Sequence, residues 1–137
     1  MLRCRMGEAK VRVAIVDDED SVRRSVERLL RSAGMEVETF PSGREFLEAL
    51  ARSRPDFLVL DLHMPAMNGF EVCEELQRTG VHLPVAIITG HDAPEYRARA
   101  VAVGVAAYLP KPIDDKELIG VIAAAARPAG EVSVGTT

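Results

Sequence analysis

The chain has 137 residues, 47% hydrophobic and 28% charged, with no Trp and a formal net charge of −4. That length supports one domain with one core, and the acidic balance argues against direct nucleic-acid binding, which calls for a basic stripe. The two cysteines, Cys4 and Cys73, have no CxxC or Cys/His spacing, so a disulfide framework or zinc site is not expected.

The polar lead, residues 1–10, has basic residues but lacks the apolar stretch of a signal peptide. VRVAIV (11–16) reads as the first strand. In DSVRRSVERLLRSAG, Val22, Val26, Leu29, Leu30 and Ala33 recur at helical spacing, and Gly34 stops the helix. VETF (37–40) is a short strand; Ser42 and Glu45 then form a capping box before Phe46, Leu47 and Leu50. DFLVLD (56–61) is an apolar strand that ends on a carboxylate. The loop LHMPAMNG and a helix over FEVCEELQR follow it. PVAIIT (84–89) is the fourth strand, and Asp92 and Glu95 are placed to box a helix that ends near Gly104. AAYL (106–109) is the fifth strand. Lys111-Pro112 comes next, and Asp114 and Glu117 cap a last helix through about Ala126. The tail 127–137 has no periodicity and reads as flexible. No apolar run is long enough to cross a bilayer, and a reducing, cytoplasmic location is expected.

Strands apolar on both faces, alternating with helices, call for a parallel sheet covered on both sides. Right-handed crossovers reduce the topologies to a doubly wound α/β sheet. Such sheets bind ligands beyond the carboxyl ends of their strands. Those ends carry Asp17 and Asp18, Asp61, Thr89 and Lys111. Three carboxylates in one crevice repel one another unless a cation is present. An oxygen-only ligand set suits Mg²⁺, which favours phosphate as a co-ligand. Lys111 supplies a point charge for a phosphate oxygen and Thr89 a hydroxyl. The set therefore describes a carboxylate nucleophile, Asp61, beside a metal and a phosphoryl-binding cation. Each residue alone also has a plain reading: an Asp pair as a helix-capping region, Thr89 as structural, Lys-Pro as a common dipeptide. Their joint occurrence at four strand ends carries the functional one.

At these residues the chain resembles the receiver domains of bacterial two-component response regulators. The resemblance rests on VAIVDDEDSVRRSVERLLRSAG, PDFLVLDLHMPAMNGFEV, LPVAIITGHD and AVGVAAYLPKPID, and spans residues 11–126. It implies a flavodoxin-like fold with strand order 2-1-3-4-5. It implies phosphorylation of Asp61 by a histidine kinase or phosphotransfer protein, with turnover catalysed by the domain itself. Asp18 and Asp61 would ligate Mg²⁺ directly, Asp17 through water, and the backbone carbonyl of His63 would complete the set. Lys111, aimed by a cis bond to Pro112, would hold the phosphoryl group. Thr89 and Tyr108 would be the switch pair. The face made by the fourth helix, fifth strand and fifth helix would then change its partner preference, homodimer formation on phosphorylation included. The stretch RRSVERLLRSAGMEVETFPSGREFLEAL and the ITGH segment resemble receivers that precede LuxR-type helix-turn-helix domains. The stretch after the last helix is too short for such a domain, so a stand-alone receiver or a piece of a longer regulator is expected.

Two other functions fit parts of the pattern. A haloacid-dehalogenase-like phosphatase also uses a strand-end Asp and Mg²⁺, but wants a second acid where His63 stands. A flavodoxin-like electron carrier needs a hydroxyl- and Gly-rich loop where DDEDS stands. His63 and His91 each follow a site residue by two places and read as rim positions. A pH-sensitive pair or transition-metal site is the alternative for them. His82 reads as exposed and Cys73 as a small core residue. Arg23, Arg24, Arg28 and Arg31 read as a solvated helix face; contact with a kinase is the alternative.

Overall fold

The computed structural model describes residues 10–126. The expectations for the tail, and for all of the lead except Lys10, therefore lie outside the described residues. Among the described residues, five strands alternate with five helices: β1 (Arg12–Val16), α1 (Asp20–Ser32), β2 (Glu36–Phe40), α2 (Gly43–Ala49), β3 (Phe57–Asp61), α3 (Gly69–Arg78), β4 (Val85–Thr89), α4 (Pro94–Val103), β5 (Ala107–Pro110) and α5 (Asp115–Ala125). The sheet is parallel throughout, in the expected order β2-β1-β3-β4-β5. No described helix is long and apolar enough to cross a membrane.

The period-2 geometry of the strands divides the core in two. Leu58, Leu60 and Ile87 face one side with Phe46, Phe70 and Val72. Phe57, Val59 and Ile88 face the other with Leu30, Leu118 and Ile122. All five residues of β3 and all five of β4 are buried. That is why these segments read as unbroken apolar runs. β2 lies at an edge and keeps Glu36 and Glu38 exposed, which discourages pairing with another sheet.

Gly34 ends α1 as expected, with φ +88. Met35 N–H reaches back to the Leu30 carbonyl and Gly34 N–H to that of Arg31, a closure that needs the left-handed conformation glycine adopts cheaply. The Asp114 side chain accepts from Glu117 N–H at 2.9 Å, as expected at α5. Ser42 accepts from Glu45 N–H at 3.2 Å, forming that half of its box. The expected Asp92–Glu95 box does not form: Ala93 is the N-cap of α4, and Pro94 occupies its first turn. Proline is pre-organised for that position and sets the helix start there. The Asp92 carboxylate instead meets the Arg97 guanidinium at 2.6 Å, a charge-assisted contact stronger than a bond to a neutral N–H. A full reciprocal box does occur at α3, between Asn68 and Glu71.

Gly69 brings the start of α3 against the end of β3. A Cβ there would lie 2.8 Å from the Asp61 carbonyl oxygen. The absence of a side chain thus lets the β3–α3 turn close tightly behind Asp61. Lys111-Pro112 is cis, as expected.

Candidate functional site

Parallel pairing sets the depth of each strand end. Asp61 is level with Ile88, and Thr89 is level with Pro110, the residue before Lys111. Asp17 follows β1 directly and is anchored by its N–H to the Phe40 carbonyl at 3.2 Å. The topology therefore brings Asp17, Asp18, Asp61 and Lys111 together.

Asp17 is 0% exposed and Asp61 3%, whereas Asp18 is exposed. One carboxylate oxygen from each of the three lies within 4.8 Å of the others. Lys111 Nζ reaches Asp17 Oδ2 at 3.1 Å and Asp61 Oδ1 at 3.2 Å. It also reaches Glu19 Oε1 at 3.2 Å. Glu19 is an addition to the expected set, signalled in the sequence only as the third acid of DDED. Asp17 is further fixed by Glu19 N–H, which donates to its Oδ1 at 2.9 Å. Arg23, expected on a solvated face, turns inward and donates to the Asp17 carbonyl at 2.7 Å.

One ammonium group thus serves carboxylates that outnumber it. Burial pushes the Asp61 pKa up to about 6, the Asp17 charge adds to this, and Lys111 opposes it. Burial likewise raises Asp17, against the Glu19 N–H and Lys111. Burial alone would lower Lys111, but Asp17 and Asp61 outweigh it and hold its pKa above the usual value. The donors are all oxygens and the charge is in deficit of cations, so the cluster fits a hard divalent ion.

Thr89 is buried, and its hydroxyl is engaged in its own turn. Thr89 Oγ1 accepts from His91 N–H at 3.0 Å and donates to the His91 carbonyl at 3.2 Å. A Cβ on Gly90 would meet only Lys111 Cδ, at 4.0 Å, so the space beside the lysine is open. His63 is exposed in the turn after β3. Its ring meets those of His91 and Tyr96 edge-on, at 5.6 and 5.2 Å between centroids. The two rim histidines are therefore neighbours, and Tyr96, which no sequence motif marked, lies against His63. Tyr108 is half-buried on β5, with Arg97 packed over its ring. His82 is exposed and Cys73 buried, as expected, and burial pushes the Cys73 thiol up to about 11.

Residues 13–123 match the family described as the response regulator receiver domain, and the chain belongs to that family. It is a signalling domain of two-component phosphorelay systems rather than an enzyme acting on small substrates, which sets aside the phosphatase and electron-carrier readings. Over 117 residues the chain is 43% identical to the response regulator MprA of Mycobacterium leprae, covering 85% of this chain and 51% of that protein. The chain spans about half the length of the curated relatives it matches. Among solved structures it is similar to the chemotaxis protein CheY4 of Vibrio cholerae, with 33% identity and a TM-score of 0.79, covering 85% of this chain and 99% of that one. It is also similar to a response regulator receiver protein from Burkholderia phymatum, with 42% identity and a TM-score of 0.75, covering 88% and 99%.

Proposed function

We propose that Asp61 is the phosphoryl acceptor of this receiver, within a unit spanning residues 11–126, and that a histidine kinase or phosphotransfer protein is the donor. The observation that carries this is the placement of Lys111 Nζ between Asp17 and Asp61 in a carboxylate-rich crevice. Above its pKa of about 6, Asp61 is ionised and able to attack phosphorus. A new bond forms from an Asp61 carboxylate oxygen to phosphorus, and the bond from phosphorus to the donor breaks.

Asp17, Asp18, Asp61 and the His63 backbone carbonyl would hold Mg²⁺, Asp17 through water. When bound, the ion supplies the positive charge that the crevice lacks and that a phosphoryl group needs. Lys111 exchanges its contact with Asp61 for a phosphoryl oxygen, and Thr89 turns its hydroxyl toward the same group. Tyr108 then changes its position, altering the face formed by α4, β5 and α5 for a partner, a second copy of the chain included. The domain itself catalyses both its phosphorylation and its hydrolysis. The protein works in the cytoplasm, either alone or ahead of an output domain of LuxR type.

Incubation with acetyl phosphate and Mg²⁺ should add one phosphate per chain, and Asp61→Asn should abolish it. Labelling that persists in Asp61→Asn sinks the assignment.

A further inference from the structure

Tyr108 presents an unexplained feature. Its hydroxyl oxygen is buried and has no hydrogen-bond partner. An unpaired buried hydroxyl is unfavourable, so other contacts must keep the ring in this position. Arg97, on α4, lies over that ring with its guanidinium carbon 4.9 Å from the centroid. A cation over an aromatic face is attracted to it. Arg97 is in turn gripped by Asp92, at 2.6 Å. Burial raises the pKa of the Tyr108 hydroxyl. Asp92 therefore holds the guanidinium that covers the Tyr108 ring.

Asp92 belongs to the short link from Thr89 to α4. Within that link the Thr89 hydroxyl donates to the His91 carbonyl and accepts from the His91 N–H. A hydroxyl has a single proton to donate. Giving it to a phosphoryl oxygen breaks the bond to the His91 carbonyl and loosens the turn that presents Asp92.

We propose that Asp92 and Arg97 form a latch that holds Tyr108 in its unphosphorylated position, and that transfer of the Thr89 hydroxyl bond from His91 to a phosphoryl group on Asp61 opens it. The inference rests on the phospho-acceptor reading of Asp61. Both latch residues are positioning residues: they act on Tyr108 and touch none of the reacting atoms. The grip is modest, because Arg97 and Asp92 side chains are 51% and 38% exposed. A modest grip suits a latch that one hydrogen bond must release.

The test uses the full chain labelled with 3-fluorotyrosine, with Tyr96→Phe to assign the Tyr108 signal by fluorine NMR. Beryllium fluoride with Mg²⁺ serves as the phosphoryl mimic. In the wild type the mimic should move the Tyr108 signal. In Arg97→Met the signal of the free protein should already lie toward the mimic-bound position. The same variant should bind the mimic about fivefold more tightly, the order expected for losing one exposed pair and one cation–aromatic contact. Asp92→Asn should act in the same direction. A wild type that binds the mimic and moves Tyr108, with both latch variants unchanged in signal and affinity, overturns the latch. A wild type that does not bind the mimic overturns the acceptor reading and the latch with it.

Discussion

Replacing Asp61 with Asn should give the metal-free protein a stability advantage over the wild type that grows as pH rises from 3.8 through about 6. Asp61 has a pKa of about 6 in the folded chain against an ordinary 3.8. The folded state therefore holds a proton that the unfolded chain releases, and stability falls as pH rises from below 3.8 to above 6. The full difference corresponds to about 3 kcal/mol, of which about 2 kcal/mol falls between roughly pH 4.5 and pH 8. Asn keeps the shape and removes the charge, so the buried repulsion with Asp17 goes with it. Lys111 keeps Asp17 and Glu19 as partners at 3.1 and 3.2 Å, which limits the loss on its side. Urea unfolding of both proteins in EDTA, across that pH range, measures the effect. Asp61→Asn should gain on the wild type by about 2 kcal/mol over the range. Saturating Mg²⁺ should reverse much of this, because a ligand at about a hundredfold its Kd stabilises the wild type by about 2.7 kcal/mol. A stability difference in EDTA that stays constant with pH refutes the view of Asp61 as a carboxylate held against its charge.

Two further outcomes follow from the β3–α3 turn. Gly69→Ala places a methyl group 2.8 Å from the Asp61 carbonyl oxygen. It should cost about 1–3 kcal/mol in urea unfolding and slow acetyl phosphate labelling by displacing Asp61. Asn68→Ala removes the cap that accepts from Glu71 N–H at 2.9 Å. It should cost about 1 kcal/mol and leave labelling close to wild type, which separates helix stability from site geometry.

Much of the architecture was legible because its signals are local. DFLVLD and PVAIIT are apolar throughout because both faces of β3 and β4 are buried, so length and composition alone marked them as strands. Strand order and the pairing of strand ends followed from the family resemblance, and the parallel registers agree with both. Local capping was less predictable. Ser-x-x-Glu and Asp-x-x-Glu patterns look equivalent in sequence, yet Pro94 and the reach of Arg97 decide which residue caps α4.

By itself, the sequence determined the five-strand α/β alternation and the identity of the acids, hydroxyl and lysine at the strand ends, because side-chain type and spacing are local properties. Only the tertiary structure decided how Lys111 divides itself among Asp17, Asp61 and Glu19. It alone decided that the Thr89 hydroxyl is committed to His91 and that Arg97 covers Tyr108. Each of these depends on where side chains from separate elements meet. The charge of one residue is then shared or competed for by others that are distant in the chain, and no spacing in the sequence records that outcome.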